Sequence, residues 1–149
     1  MKNLLFLTAL LVSFNAMGQS DSEERPVRVC ENMPKLAQCA GEDAVQADRC
    51  TQMTVMQLVA DEITYPEDAL AEGLEGTAYV SFIVEKDGSV NDVKIMRTPR
   101  GDSEAVHSLA AEAVRAVSTL PDFTPGTNEE GELVRVNFVT PVRYLLSQQ

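Results

Sequence analysis

The 149-residue sequence contains no tryptophan, one histidine and few basic side chains. Its 12 lysines and arginines stand against 23 aspartates and glutamates, which gives a formal net charge of −11. Because an acidic surface repels phosphate backbones and anionic lipids, binding to nucleic acid or to a membrane surface through a basic patch is disfavoured. A neutral or basic partner is expected instead.

The residue patterns that catalysis requires are also missing. The single histidine, His107, lies in a predicted helix on the side that faces water, and no serine has a visible base beside it. The sequence has no glycine-rich phosphate loop, and Asp87-Gly88 with Glu85 supplies too few ligands for a calcium loop. We therefore expect a protein that is not an enzyme and that binds no cofactor.

Cysteine is scarce as well, with Cys30, Cys39 and Cys50 as its three occurrences. Their spacing lacks the C-x-x-C pairs of structural zinc sites, so no metal site is expected. In an oxidising compartment one disulfide should form, and three pairings are possible. We prefer Cys39 with Cys50, because the segment between them is polar and turn-like, and closing so short a loop stabilises by about 2 to 3 kcal/mol. Cys30 would remain a free thiol.

The first 18 residues have the profile of a signal peptide. A positively charged start precedes an apolar run over residues 4–12, and the small residues Ala16 and Gly18 suit a cleavage point after Gly18. The alternative is an uncleaved anchor, but the run is shorter than the roughly 20 apolar residues that cross a bilayer. We expect an exported protein with no membrane span after cleavage.

Residues 19–31 are polar and are predicted to form a flexible lead-in. Residues 32–62 are predicted to comprise an irregular segment, which carries the disulfide, and then a helix from Cys50 to Ile63, where apolar residues recur at three-and-four spacing. A methionine-rich stripe can form a groove for a partner, but such stripes are more often core, and we interpret these methionines as core residues. The predicted buried stripe consists of Met53, Met56, Gln57, Val59, Ala60 and Ile63.

Residues 63–146 alternate between short helical and strand patterns. Pro66 is placed where the first turn of a short helix tolerates proline, and that helix stops at Gly73. Alternating apolar positions predict strands over 76–85 and 90–98, and the Asp-Gly turn between them is a strong hairpin signal.

A longer helix and a last strand complete the predicted domain. The helix has Asp102 or Ser103 as its cap and one apolar stripe. The last strand is predicted from Glu132 to Val139, with Pro141 ending regular pairing. Helices packed on one face of a small three-stranded antiparallel sheet would bury the apolar sides of both layers, so the predicted fold class is α+β.

A series of short motifs keeps a specific order along residues 63–144. They are Tyr65-Pro66, Ala69, Gly73, Glu75-Gly76, Val80, Phe82, Val84, Asp87-Gly88, Val90, Val93, Ile95, Phe123, Pro125-Gly126 and Val134 to Phe138. In order and spacing they resemble the C-terminal domain of TonB. Met33-Pro34 and the span from Cys39 to Cys50 are further similar to exported, stand-alone TonB-like proteins of the Bacteroidetes type.

The resemblance implies a periplasmic domain that binds a short extended segment, the TonB box, at the plug of an outer-membrane transporter. Binding in the family occurs by strand addition, in which the unpaired N–H and C=O groups of a sheet edge pair with another chain. By resemblance, the last predicted strand corresponds to that edge, and proline at Val136 should remove an edge donor. The predicted partner-binding residues are Glu132, Leu133, Val134, Arg135, Val136, Asn137, Phe138 and Val139.

Two departures from the family limit this expectation. Glu62-Ile63 stand where the family carries a Gln-Pro pair that contacts the box. A chain whose leader is cleaved would also lack the inner-membrane helix through which TonB transmits energy. The sequence therefore favours a stand-alone binding module. The alternative is a structural or interaction protein that homodimerises through its last strand or Cys30 and is unrelated to transport.

Overall fold

The computed structural model describes residues 24–148, so the predicted leader and the first part of the predicted lead-in lie outside the described residues. Two 3-10 turns, at Ala37–Cys39 and Leu146–Gln148, accompany the longer elements. Those elements are α1 (Ala44–Glu62), α2 (Glu67–Ala71), β1 (Gly76–Val84), β2 (Val90–Arg97), α3 (Glu104–Val117), β3 (Gly126–Thr127), β4 (Leu133–Val134) and β5 (Val136–Tyr144).

The main sheet has three antiparallel strands in the order β2-β1-β5. The predicted hairpin joins β1 to β2, and its Gly88 has a φ of 87°. A Cβ atom at Gly88 would overlap the carbonyl oxygen of Phe123, so the turn requires glycine for both space and conformation. The predicted α+β class with a three-stranded antiparallel sheet is confirmed.

The helices cover one face of this sheet, with α1 over β5 and α3 over β1 and β2. Between the layers the Phe82 ring stacks on the Phe138 ring with centroids 5.4 Å apart. At the other end of the core, the Tyr144 hydroxyl donates to the carbonyl oxygen of Leu109 at 2.6 Å. Within the described range, no helix combines the length and apolar character needed to cross a membrane.

The last strand differs from the prediction at both ends. The segment before Val136 leaves the main sheet, because Leu133–Val134 forms β4 and pairs with β3 in a separate two-stranded sheet. β5 then continues through Pro141 to Tyr144. Pro141 does not end the pairing, since it lies opposite Tyr79 at a position where the backbone nitrogen points away from β1.

Helix α1 begins six residues before the predicted start at Cys50. The Asp43 carboxylate accepts a hydrogen bond from the Gln46 amide at 3.0 Å and caps the helix. Asp43 followed by Gln46 three residues later matches a capping box, a local signal for a helix start that lies within the segment predicted to be irregular. Helix α3 is capped by Ser103, one of the two predicted candidates, whose hydroxyl oxygen accepts a hydrogen bond from the Val106 amide.

The buried face of α1 agrees with the predicted one at Val59 and differs from it elsewhere. Its buried residues are Ala47, Thr51, Val55 and Val59, spaced four apart. The interpretation of the methionines as core is wrong, because Met53 is 66% exposed. Thr51 can be buried because its hydroxyl accepts a hydrogen bond from the amide of the buried Leu36. A polar residue therefore faces the irregular segment, and the methionines are turned outward.

The disulfide pairs Cys39 with Cys50, with Cα atoms 5.7 Å apart, as predicted. It connects the 3-10 turn to the second turn of α1. Just before it, residues 32–35 lie antiparallel to residues 124–127, with the amides of Asn32 and Thr127 each donating to the other's carbonyl oxygen at 3.0 Å. The chain before α1 is thereby attached to the domain at two places.

Candidate functional site

Strand β5 lies at an edge of the main sheet, and alternate residues direct their backbone groups away from β1. The Asn137 amide donates to the carbonyl oxygen of Val27 at 2.8 Å, which identifies the outward positions. The outward residues are Asn137, Val139, Pro141 and Arg143. Because proline has no N–H, the outward donors are the amides of Asn137, Val139 and Arg143.

The beginning of this edge is covered by residues of the predicted lead-in. Val27 lies parallel to β5, and its amide donates to the Arg135 carbonyl oxygen at 2.9 Å. The Arg135 guanidinium in turn donates to the carbonyl oxygen of Glu24 at 2.9 Å and to both carboxylate oxygens of Glu85, at 2.7 and 3.0 Å. Lys86 forms an ion pair with the Glu24 carboxylate. Part of the lead-in is thus bound to the sheet.

From Val139 to Arg143 the edge is open. No residue between 24 and 148 forms a backbone hydrogen bond to the outward amide of Val139 or Arg143. The side chain of Val139 is also exposed, at 55%. β5 pairs with β1 over nine residues without any shift in register, so its free side is straight and regular.

The opposite edge, β2, is much less suited to pairing. Its register with β1 shifts twice, between Tyr79 and Val80 and between Ser81 and Ile83. Asp92 has a φ of 49°, and its carboxylate pairs with Lys94 at 2.9 Å. Bulges and charges of this kind protect sheet edges against strand addition. Of the two edges, β5 is therefore the better template for another chain.

The predicted partner-binding residues are divided among three environments. Leu133 and Val134 form β4, and the Glu132 amide donates to the Asn128 side chain at 2.9 Å, so these residues lie off the main edge. Arg135 is engaged by Glu85 as described above. Residues 132–139 therefore do not form one continuous sheet edge.

The remaining predicted residues lie on β5 but do not face the same way. Val136 is fully buried and opposite Val84, and Phe138 packs in the aromatic cluster. The Val136 amide points toward β1, so the expectation that proline there removes an edge donor is wrong. The outward positions within the predicted range are Asn137 and Val139. Pro141 and Arg143 were missed because the proline was interpreted as the end of the strand.

A hydrogen-bonded cluster holds the segment where the sequence departs from the TonB pattern. The Arg115 guanidinium donates to the Glu62 carbonyl oxygen at 2.6 Å and to the Glu112 carboxylate. Glu112 also accepts from the Thr64 amide at 2.8 Å. The hydrogen bond from Arg115 lowers the pKa of the Glu112 carboxyl, so the group is ionised at neutral pH. The end of α1 is thereby fixed to α3.

The free thiol, Cys30, is placed near the covered part of the edge. Its Sγ atom donates to the Asn32 carbonyl oxygen at 3.1 Å. Burial raises the pKa of this thiol, and the negative charge of Asp48 acts in the same direction. A raised pKa leaves little thiolate at neutral pH, which reduces the reactivity of the group.

Comparison with known proteins places residues 61–146 in a known family. They match the family described as Gram-negative bacterial TonB protein, C-terminal. Protein TonB of Helicobacter pylori strain J99 is 31% identical over 75 residues, covering 48% of this chain and 26% of that protein. The protein of strain 26695 is 29% identical over 68 residues, covering 46% and 23%. The chain spans about a quarter of the length of these relatives.

Solved structures of TonB C-terminal domains are also similar to this chain. Two solution structures of the H. pylori domain give TM-scores of 0.45 and 0.47 at 24% and 26% identity. The first covers 65% of this chain and 95% of its own chain, and the second covers 63% and 78%. The Pseudomonas aeruginosa domain gives 0.42 at 21% identity, covering 60% and 84%.

Proposed function

Since this chain belongs to the family of Gram-negative bacterial TonB protein C-terminal domains, we propose that it is a periplasmic binding module of the outer-membrane transport machinery. Its partner is a TonB-box-like segment of an outer-membrane TonB-dependent transporter, which adds as a strand to β5. The observation that carries the proposal is the open, regular edge from Val139 to Arg143. This edge is what strand addition requires.

The backbone groups of the open edge set the scale of the expected affinity. Val139 and Arg143 each offer an N–H and a C=O group, and Pro141 offers a C=O group, which makes five outward groups. At a net contribution of about 0.5 to 1.5 kcal/mol each, they supply about 2.5 to 7.5 kcal/mol before the cost of association. A micromolar Kd corresponds to about −8 kcal/mol. Side-chain contacts must therefore contribute to a complex of that strength.

The test uses Val139, where proline removes an outward donor without breaking the β1–β5 ladder. Peptides from the plug segments of transporters of the same cell are titrated against the protein by calorimetry. V139P should weaken the best binder at least tenfold. V139A, which keeps the amide, is the matched control and should change Kd by no more than about threefold. Binding of no plug peptide, or equal binding by V139P, would contradict the proposal.

Homodimerisation through β5 is the competing function, because the same edge could pair with a second copy. Sedimentation of the protein with and without reductant distinguishes the two. A monomer under both conditions rules out the dimer. A dimer that V139P dissociates, together with no peptide binding, would favour it.

A further inference from the structure

A cleft lies beside the open edge, between β5 and α1. One half, of about 290 Å³, is lined by Met53, Met56 and Ala60 on the helix and by Pro141 and Arg143 on the strand. A second half, of about 200 Å³, continues along β5 toward residue 138 and shares Met56 and Pro141 with the first. The cleft therefore follows the strand over the whole of its open edge.

Two features indicate that this cleft is built to be occupied. Met53 and Met56 are 66% and 38% exposed, so two large apolar side chains face water next to unpaired backbone groups. In the wall, Thr140 is only 4% exposed, and its hydroxyl has no hydrogen-bond partner among the described residues. Buried hydroxyls are normally satisfied, so Thr140 leaves a hydrogen-bonding group unused in the wall of the cleft.

The dimensions of the cleft fit an extended chain. A strand added outside β5 lies about 4.8 Å from it and points alternate side chains toward the helical layer, about 6.6 Å apart. Turns of a helix succeed one another every 5.4 Å or so. Gln52, Met56 and Ala60 lie one turn apart on the wall of α1 that faces the cleft. Each inward side chain of the added strand would therefore meet one helical turn.

We propose that the cleft between α1 and β5 selects the bound segment, accepting an extended peptide with aliphatic side chains at alternate positions. This inference rests on the proposed strand addition to β5 and names the class of segment that is bound. The aliphatic side chains pack against Met53 and Met56. Methionine side chains adapt their shape, so aliphatic residues of different sizes are accepted.

The helical wall lies before the part of the chain that matches the family. The family match begins at residue 61, so Met53 and Met56 lie outside it. The wall is held by the Cys39–Cys50 disulfide and by the hydrogen bond of Thr51 to the Leu36 amide. The chain's net charge of −11 also favours a neutral or basic segment over an acidic one.

The test combines one variant of the wall with changes in the peptide. The probe is the tightest-binding plug peptide of the same cell, together with versions in which each aliphatic residue is replaced by alanine. M56K should weaken the parent peptide tenfold to a hundredfold. The alanine replacements that weaken binding to the wild type should have little further effect on M56K, because the pairs are coupled.

Val45 provides the matched control, because it is 69% exposed and lies on the same helix away from the cleft. V45K should leave Kd unchanged, and M56L should retain binding. Circular dichroism should show that M56K is folded, since Met56 lies at the surface. If V139P abolishes binding while M56K and the alanine versions bind as before, the edge pairs but the cleft selects nothing, and this inference is wrong. If V139P also binds normally, the proposed function itself fails.

Discussion

Removing the Cys39–Cys50 disulfide should destabilise the protein by an amount that loop length determines. The two residues are 11 apart in sequence, and closing such a loop in the unfolded chain is worth about 2.8 kcal/mol by the chain-entropy relation. For a chain of this size that corresponds to a fall in melting temperature of about 10 °C. The same change should loosen the first turns of α1, because Cys50 is the point at which the preceding segment is attached to the helix.

The measurement is urea unfolding of the double variant C39A/C50A, followed by circular dichroism. Cys30 takes no part in the disulfide, so C30A is the matched control and should unfold near the wild-type midpoint. Amide exchange should increase most in the first turns of α1, by more than the increase that the lower global stability produces in the β5 amides bonded to β1. A loss of stability below about 1 kcal/mol would refute the reasoning, since it would mean that packing alone holds this segment.

Three further predictions concern the sheet and its surroundings. V27P removes the amide that donates to β5, so the lead-in should detach and the open edge should lengthen, which calorimetry would detect as tighter peptide binding. G88A places a Cβ atom against the Phe123 carbonyl oxygen at a positive φ and should cost about 3 kcal/mol in urea unfolding. The lowered pKa of Glu112 contributes stability above its ordinary value of 4.5 that is lost as the pH falls through the folded-state pKa. Unfolding between pH 6 and pH 3 should therefore show a smaller loss for E112Q than for the wild type, and an equal loss would contradict the assignment.

The parts of the fold that short-range signals determine were predictable from the sequence. The Asp-Gly hairpin, the capping of α3 by Asp102 or Ser103 and the stripe of α3 depend on residues within a few positions of one another. The pairing of Cys39 with Cys50 followed from a short polar loop in the same way.

Apart from the start of α1, where the Asp43 cap is a local signal, the errors occurred where distant segments decide the outcome. The face of α1 that is buried depends on Leu36, which packs on Thr51, and the helix pattern alone favoured the methionines. The continuation of β5 through Pro141 depends on which edge of the strand faces β1, and that is a property of the assembled sheet.

The candidate site was predicted only in part for the same reason. The last strand was correctly chosen as a sheet edge, but the bonds from Val27 that cover its beginning join residues more than a hundred positions apart. No local pattern signals such a contact. The open part of the edge is therefore placed too early in the sequence, and the methionines that line the cleft beside it are assigned to the core.

Amide hydrogen exchange, measured residue by residue by NMR with and without a bound plug peptide, tests the central claim most directly. Strand addition to β5 predicts that the outward amides of Val139 and Arg143 exchange freely in the unbound protein and become strongly protected in the complex. Protection that appears instead along β2, or binding that leaves both of these amides exchanging as before, would contradict it.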